Sequence, residues 1–440
     1  MKKERVKQGL VFVLIFIVML VLFCIAMLIS YALPNQRIQG HIKESKDFIL
    51  KSNGNPLFGK YIEGAQLDEF TDLLILNTAM NKGKEENENL LVRTFGNSRF
   101  SEEGGNQYIS IEQAMDNPDI QNNEEYPWYW HGIQAVLRPL LLFFNYEEIR
   151  FLFYMLMFLL LMIAAICISK NLSIMHAMAF LFSMLAVCFF IVPSSLQYTG
   201  VFALTLLSVI LVNLLYKMNK ENLYSYLFFI MGGCTTFFDL LTSPLITLGI
   251  PLIIVVLLKN KKDCKIKESI IYIIKLSILW GISYATIFFA KWVISSIILQ
   301  RNVIEVALKN IIFRVNGNDQ YPAPRLGAIL ENLKYLYNTV LAILLIIITV
   351  IWGIIMVKNK KKPKKIKVVI PLIFITLYPY IWYFIFAGHS TIHSYFTYRI
   401  QAIAILGILC AMIESIDYNK MKNIWKEKQN EKSSSINTML

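Results

Sequence analysis

Apolar runs of about 18 to 25 residues recur along this chain, and no other feature restricts its fold as strongly. A run of that length without charges crosses the roughly 30 Å hydrocarbon core of a bilayer as a helix. The chain has 440 residues, 56% hydrophobic and 17% charged. A soluble chain of this length would form two or three domains; here the membrane takes the place of their cores. The expected fold is therefore all-α and polytopic. The first segment, MKKERVKQGLVFVLIFIVMLVLFCIAMLISYALP, begins basic and carries an apolar stretch too long for a signal-peptide core. No small-residue cleavage site follows it, so we expect a retained span.

The pattern predicts about ten transmembrane helices, at 9–32, 150–169, 173–192, 198–215, 223–240, 243–258, 268–291, 335–357, 369–387 and 396–414. With the four basic residues of the first seven on the cytoplasmic side, the later segments alternate consistently. Lys170, Lys217, Lys220, KNKKDCKIK (259–267), KNKKKPKKIK (358–367) and five lysines of the tail then all face inward. Together with the N-terminus they hold 24 of the 43 basic residues, whereas the short turns near 193–197, 240–244 and 388–395 hold none. That asymmetry is the positive-inside signature. It places both termini in the cytoplasm and assigns the net charge of +13 to topology and anionic lipid, not to a nucleic-acid partner.

The expected organisation is a cytoplasmic N-terminus and first helix over 1–33, then a large extracellular loop with amphipathic interfacial helices over 34–149. Transmembrane helices two to seven occupy 150–297 and a second extracellular loop 298–334. Helices eight to ten follow over 335–414, and a basic cytoplasmic tail over 415–440. The six cysteines lie in spans or inward segments, so no extracellular disulfide framework is expected. Neither CxxC, a P-loop, GxGxxG nor GxSxG occurs.

Within the first loop, LDEFTDLLILNTAM (67–80) has apolar residues close to helical spacing. The stretch from Asn81 to Gln107 is polar and rich in Gly and Asn, and reads as an irregular excursion. EEYPWYWHGIQAVLRPLLLFFNYEEIR (124–150) sets four aromatics before an apolar run too short to span. It predicts a helix over about 129–145 in the outer interface, bent at Pro139.

Candidate chemistry gathers at the outer face. Asp68, Glu69 and Asp72 share one short helix, where they could supply a general base or hold a divalent cation, Mg or Mn; a solvated helix face is the plainer alternative. Asp239 sits in an apolar, aromatic setting in FFDLLTSP, as a site residue or as a cap of the next helix. Lys291 could snorkel beside Trp292 or bind an anion. His131 and Arg138, seven apart, would share a face of the interfacial helix, and Arg314 lies in the second loop. His389 and His393 are four apart with no acidic residue beside them, and Arg399 lies just inside the last span, where it needs a partner. By topology all these groups lie near the outer leaflet. Cations facing carboxylates there suit a lipid-linked phosphate that reacts with a hydroxyl: Arg, Lys and His hold the phosphate, and a carboxylate takes the proton.

The N-in topology, the large first loop with LDEFTD and the many following spans resemble the GT-C superfamily of polytopic glycosyltransferases. FTDLLILN, YWHGIQAVLRPLLLFFNY, FFDLLTSPLITLGIP, AKWVIS and HSTIHSYFTYR are also similar to motifs of uncharacterised Gram-positive membrane proteins associated with surface-polysaccharide synthesis. The resemblance implies transfer of a sugar, with inversion, from a polyprenyl-phosphate donor to a cell-envelope glycan or lipid acceptor at the outer face of the cell membrane. It implies that Asp72 or Asp68 matches the superfamily's acidic residue, although here that residue follows the first span by about 35 positions. Asp72 is the expected base, followed by Asp68 and Asp239. Arg399, His389, His393 and Lys291 are the expected phosphate ligands, joined by Arg138, His131 and Arg314. Asp72, Asp239, Lys291 and Arg399 should then line one outward-opening pocket. The alternatives are a polysaccharide polymerase or ligase acting on a pyrophosphate-linked oligosaccharide, and a flippase or transporter. The one-sided polar groups and the lack of a repeat disfavour a transporter.

Overall fold

The computed structural model describes residues 2–51, 63–85, 88–117, 119–260, 265–337, 366–415 and a few positions between 338 and 365. Among these the chain is helical, with two isolated β-bridges. Six helices among the described residues are long and apolar enough to cross a bilayer, which makes this a multi-pass membrane protein. The first, α1 (Lys2–Ala32), turns Leu10, Leu14, Ile17, Val21 and Ile25 outward, as a helix solvated by lipid does.

The described residues of the first loop form a body of short helices. It contains α2 (Asn35–Glu44), α3 (Lys46–Leu50), α4 (Glu69–Met80), α5 (Leu90–Gly96), α6 (Gln107–Asp116) and α7 (Gln134–Leu140). Its own core joins Ile38, Ile42, Leu76, Ile111 and Leu137 to residues of the spans that follow. Two expectations are corrected here. The polar stretch after Asn81 holds α5, started by the Asn89 side chain accepting from the Leu91 amide and ended by left-handed Asn97 (φ 49°). The helix expected over 129–145 is shorter, only α7, and packs its Gln134, Leu137 and Arg138 against α1 and α4. His131 stands outside it in a left-handed turn (φ 54°), so it does not share a helix face with Arg138.

The remaining helices are α8 (Tyr146–Asn171), α9 (Ile174–Ala186), α10 (Leu196–Lys217), α11 (Tyr224–Phe238), α12 (Ile246–Asn260) and α13 (Ile266–Ile298). They are followed by α14 (Val303–Asn316) and α15 (Arg325–Tyr337). The Asn145–Glu148 capping box starts α8. Helix α11 closes on α13 at Gly232, where a Cβ would collide with the Trp280 backbone; small residues permit such approach between spans. The spans expected at 173–192, 223–240 and 243–258 are shorter than foreseen, with helical cores of 13, 15 and 15 residues. The seventh is longer, at 33 residues, and the eighth falls mostly outside the described residues. Helices α14 and α15 are amphipathic and leave Ile312, Leu326 and Leu330 exposed by 59, 70 and 64%, apolar faces that suit an interface position. The chain ends its described part with helices Ile366–Thr376, Tyr378–Ile385, Ala387–Ile392 and Ala402–Ser415.

Candidate functional site

A turn that should be strained leads to the site. After α11, Asp239 begins the turn DLLTSP, and its Oδ1 accepts the Thr242 amide at 2.9 Å. Leu241 is held at φ 69°, a region that a branched side chain enters only under constraint. This conformation presents the Leu241 carbonyl to Nε2 of His389, 2.7 Å away. On the opposite side, a Cβ at Gly388 would collide with the Phe313 and Arg314 carbonyls, so only glycine lets the end of α14 pack here. That approach brings Nη1 of Arg314 to His389 Nδ1 (3.1 Å) and His393 Nε2 (2.8 Å).

Beside this cluster lies a cavity of about 490 Å³, within the range of about 300–1,000 Å³ typical of ligand pockets. Its walls are mainly aromatic, including Trp128, Tyr129, Tyr284, Phe288, Trp292 and Trp382. Arg314 is the one charged side chain lining it among the described residues. Tryptophan indoles brace the walls: Trp130 donates to the Ile287 carbonyl at 3.0 Å and Trp292 to that of Trp128 at 2.9 Å. On α13, Trp280, Tyr284, Phe288 and Trp292 stand four residues apart, with ring centroids separated by 4.9, 5.2 and 6.0 Å. This stripe is legible in the sequence as WGISYATIFFAKW, because residues four apart share a helix face, although its rings are not among the site residues expected from sequence.

Buried polar atoms around the cavity lack protein partners. They include Oδ2 of Asp239, the Tyr284 hydroxyl, Nε of Arg314 and Nε1 of Trp382. The Thr242 hydroxyl and the Leu241 and Ser243 amides of its own turn also face the Asp239 carboxylate. Asp239 is within electrostatic reach of both Tyr129 and Tyr284, and Tyr129 also feels Arg314. A carboxylate oxygen buried without a donor is costly unless something else supplies one. Burial drives His389 well below the ordinary imidazole range; burial, with the Arg314 charge, lowers His393 to about 3. Both imidazoles are therefore neutral at physiological pH.

The other expected site residues are elsewhere. Asp72, 3% exposed, accepts from the Leu196 amide (2.9 Å), the Gln197 amide (3.1 Å), the Ser195 hydroxyl (3.0 Å) and the Tyr146 hydroxyl (3.1 Å). It caps the N-terminus of α10 from another part of the chain. Burial pushes its carboxyl up to about 7, against the pull of the two amides. Asp68, 1% exposed, caps α4 by accepting from the Thr71 amide (3.1 Å) and hydroxyl (2.7 Å); burial raises it to about 6. The solvated helix face considered for these two is thereby corrected. Glu69 accepts from the Tyr108 hydroxyl at 2.7 Å.

The cations do not form one clamp. Arg399 lies over the Tyr198 and Tyr398 rings and donates to the carbonyls of Tyr395, Gly64 and Gln66 at 2.9, 3.0 and 3.2 Å. It pins the loop that precedes Asp68. Arg138 donates to Ser30 and Ala79 carbonyls at the ends of α1 and α4, and to Asn35 Oδ1 at 2.7 Å. Lys291 donates to the Phe95 carbonyl at the end of α5, at 2.9 Å. A cation at a helix C-terminus is favourable and structural. His131 meets the Tyr126 carbonyl through Nε2 at 3.1 Å, and burial lowers it to about 3.

None of Asp72, Asp239, Lys291 and Arg399, expected to share one pocket, lines this cavity. Asp68, Asp72 and Arg399 instead surround Tyr198. The two groups are linked through rings: His393 stacks on Phe396 at 5.0 Å, and Phe396 meets Tyr198 at 6.3 Å. No group of three or more His, Cys, Asp or Glu able to hold a metal occurs among the described residues. Comparison with family models, curated proteins and solved structures returns no match.

Proposed function

We propose that this chain is a membrane glycosyltransferase of GT-C type, which moves a sugar from a polyprenyl-phosphate donor to a cell-envelope glycan or lipid acceptor. The observation that carries the reading is the aromatic cavity with Arg314 at its edge and an unpartnered, buried Asp239 oxygen nearby. An isoprenoid chain matches the apolar walls, and the guanidinium matches the phosphate. In the reaction the acceptor hydroxyl attacks the anomeric carbon, whose bond to the phosphate oxygen breaks. Polyprenyl phosphate leaves with the electron pair, its charge stabilised by Arg314. The hydroxyl proton passes to a carboxylate. Asp239 takes that role in preference to Asp72 and Asp68, because its Oδ2 has no donor while theirs are occupied.

The reading includes ten spans, both termini in the cytoplasm and the cavity on the extracellular side. Cysteines introduced at Glu103 and Asn318 should react with an impermeant thiol reagent applied to intact cells, and one at Lys220 should not; the reverse pattern overturns the orientation. For the activity, purified protein in liposomes is given a polyprenyl-phosphate sugar and scored for transfer. Lipid movement between leaflets with no transfer from any donor would sink the glycosyltransferase reading in favour of a transporter.

A further inference from the structure

The histidines of GHSTIHSYFTYR touch Arg314 in a way that determines their own protonation. The Leu241 carbonyl can only accept, so Nε2 of His389 carries the proton and its Nδ1 is a bare lone pair. Arg314 can only donate, so Nε2 of His393 is bare as well. Both hydrogens of Arg314 Nη1 are thus taken, one by each imidazole. Nε remains buried without a partner. In a planar guanidinium Nε and Nη2 share the edge opposite to the one that Nη1 occupies, and this edge is a two-point fork.

We infer that His389 and His393 are positioning residues, whose lone pairs hold Arg314 so that its Nε–Nη2 edge receives an oxyanion offering two oxygens. The inference rests on the cavity being a lipid-phosphate site, and it replaces the direct contact between histidine and phosphate that the sequence suggested. The surroundings agree with neutral imidazoles. The pair is faced by Arg314 from α14, by the Leu241 carbonyl with Asp239 two residues before it, and by Tyr395 from their own segment. Tyr126 lies within electrostatic reach of Arg314, and the Tyr129 hydroxyl, within hydrogen-bonding reach of the guanidinium, is the group that an oxyanion would meet or displace there. Helix α15 sends Asn332 to the Ser390 carbonyl at 2.7 Å, and its Arg325 is engaged with the carbonyls of Val315, Phe384 and Ile385. No carboxylate bonds to either ring among the described residues, so nothing there favours an imidazolium.

The test uses full-length protein in lipid nanodiscs and a short-chain polyprenyl-phosphate sugar, a phosphodiester whose charge is constant from pH 5 to 8. Binding is read from the fluorescence of the cavity tryptophans. Positioning predicts an affinity that changes by less than about twofold between pH 8 and 5, whereas ligands acting as imidazolium would tighten it by roughly tenfold or more. Arg314→Lys should weaken binding by roughly 10–100-fold, because an ammonium has no fork. His393→Gln keeps an acceptor in the place of Nε2 and should bind within about threefold of the wild type, while His393→Leu should lose about tenfold. Binding that strengthens in acid, an Arg314→Lys variant equal to the wild type, or Gln no better than Leu would each overturn the inference and leave the site standing. A wild type that binds no phosphodiester at pH 5 or 8 takes down the site reading itself. The pH profile of the wild type needs no variant to fold.

Discussion

The surroundings of Asp72 and the edge of the cavity contain the same kinds of residue in opposite states. Around Asp72 every carboxylate lone-pair direction is met by a donor, and the helix it caps depends on it. Around the cavity, Asp239 Oδ2, the Tyr284 hydroxyl and Arg314 Nε are buried with no protein partner. A satisfied buried polar group holds a fold together, whereas an unsatisfied one is a standing free-energy cost that a ligand can relieve. By this criterion Asp72, Arg138 and Lys291 are structural; Asn97, Arg99 and Gln134 also hold unpaired buried atoms, but only those of the cavity edge adjoin a cavity able to take a ligand, which makes it the candidate site.

The largest effect expected is on chemistry. Asp239→Asn keeps the acceptor for the Thr242 amide but removes the proton sink, so turnover should fall roughly 10²–10⁴-fold. Its unfolding free energy should shift by no more than about 1 kcal/mol. A variant that retains full transfer returns the choice of base to Asp72 and Asp68. Next comes Asp72→Ala, which strands four buried donors at the head of α10. A loss of about 3–5 kcal/mol of stability is expected, measured as the shift in detergent unfolding midpoint. Near-normal stability would break the comparison between the two regions.

Arg138→Met should be milder, at about 2–3 kcal/mol, because two of its three acceptors keep another donor, the Ser30 carbonyl the Leu33 amide and Asn35 Oδ1 the Asn81 side chain. Ligand binding at the cavity should be unchanged. The smallest effect is one of pH. His393 is held below its unfolded range, so the unfolded chain binds the proton more tightly and acid favours unfolding. Stability of the wild type relative to His393→Gln should be flat above about pH 6.5 and fall as pH drops from there toward about 3. The slope is at most about 1.4 kcal/mol per pH unit. A relative stability that rises in acid would show His393 to be charged in the folded protein.

The residues that carry the cavity were partly visible beforehand. Asp239 stood out as an ionisable group in an apolar run, and Arg314, His389 and His393 as cations near one face. What could not be read was their grouping, since Arg314 meets His389 across 75 positions, Arg399 meets Gly64 across 335 and Lys291 meets Phe95 across 196. Asp72 and Asp239 look alike in sequence, one in FTDLL and the other in FFDLL. Their difference arises because the start of α10 folds back onto one, whereas the donors that face the other belong to its own turn.

Hydropathy alone determined that the chain is helical and crosses the membrane more than once, because transfer of a long apolar run into lipid is a local property summed along one segment. Whether a buried charge serves the fold or a ligand was decided only by tertiary structure. Satisfaction of a polar group depends on donors and acceptors brought within about 3 Å in space, and no spacing along the sequence encodes that distance.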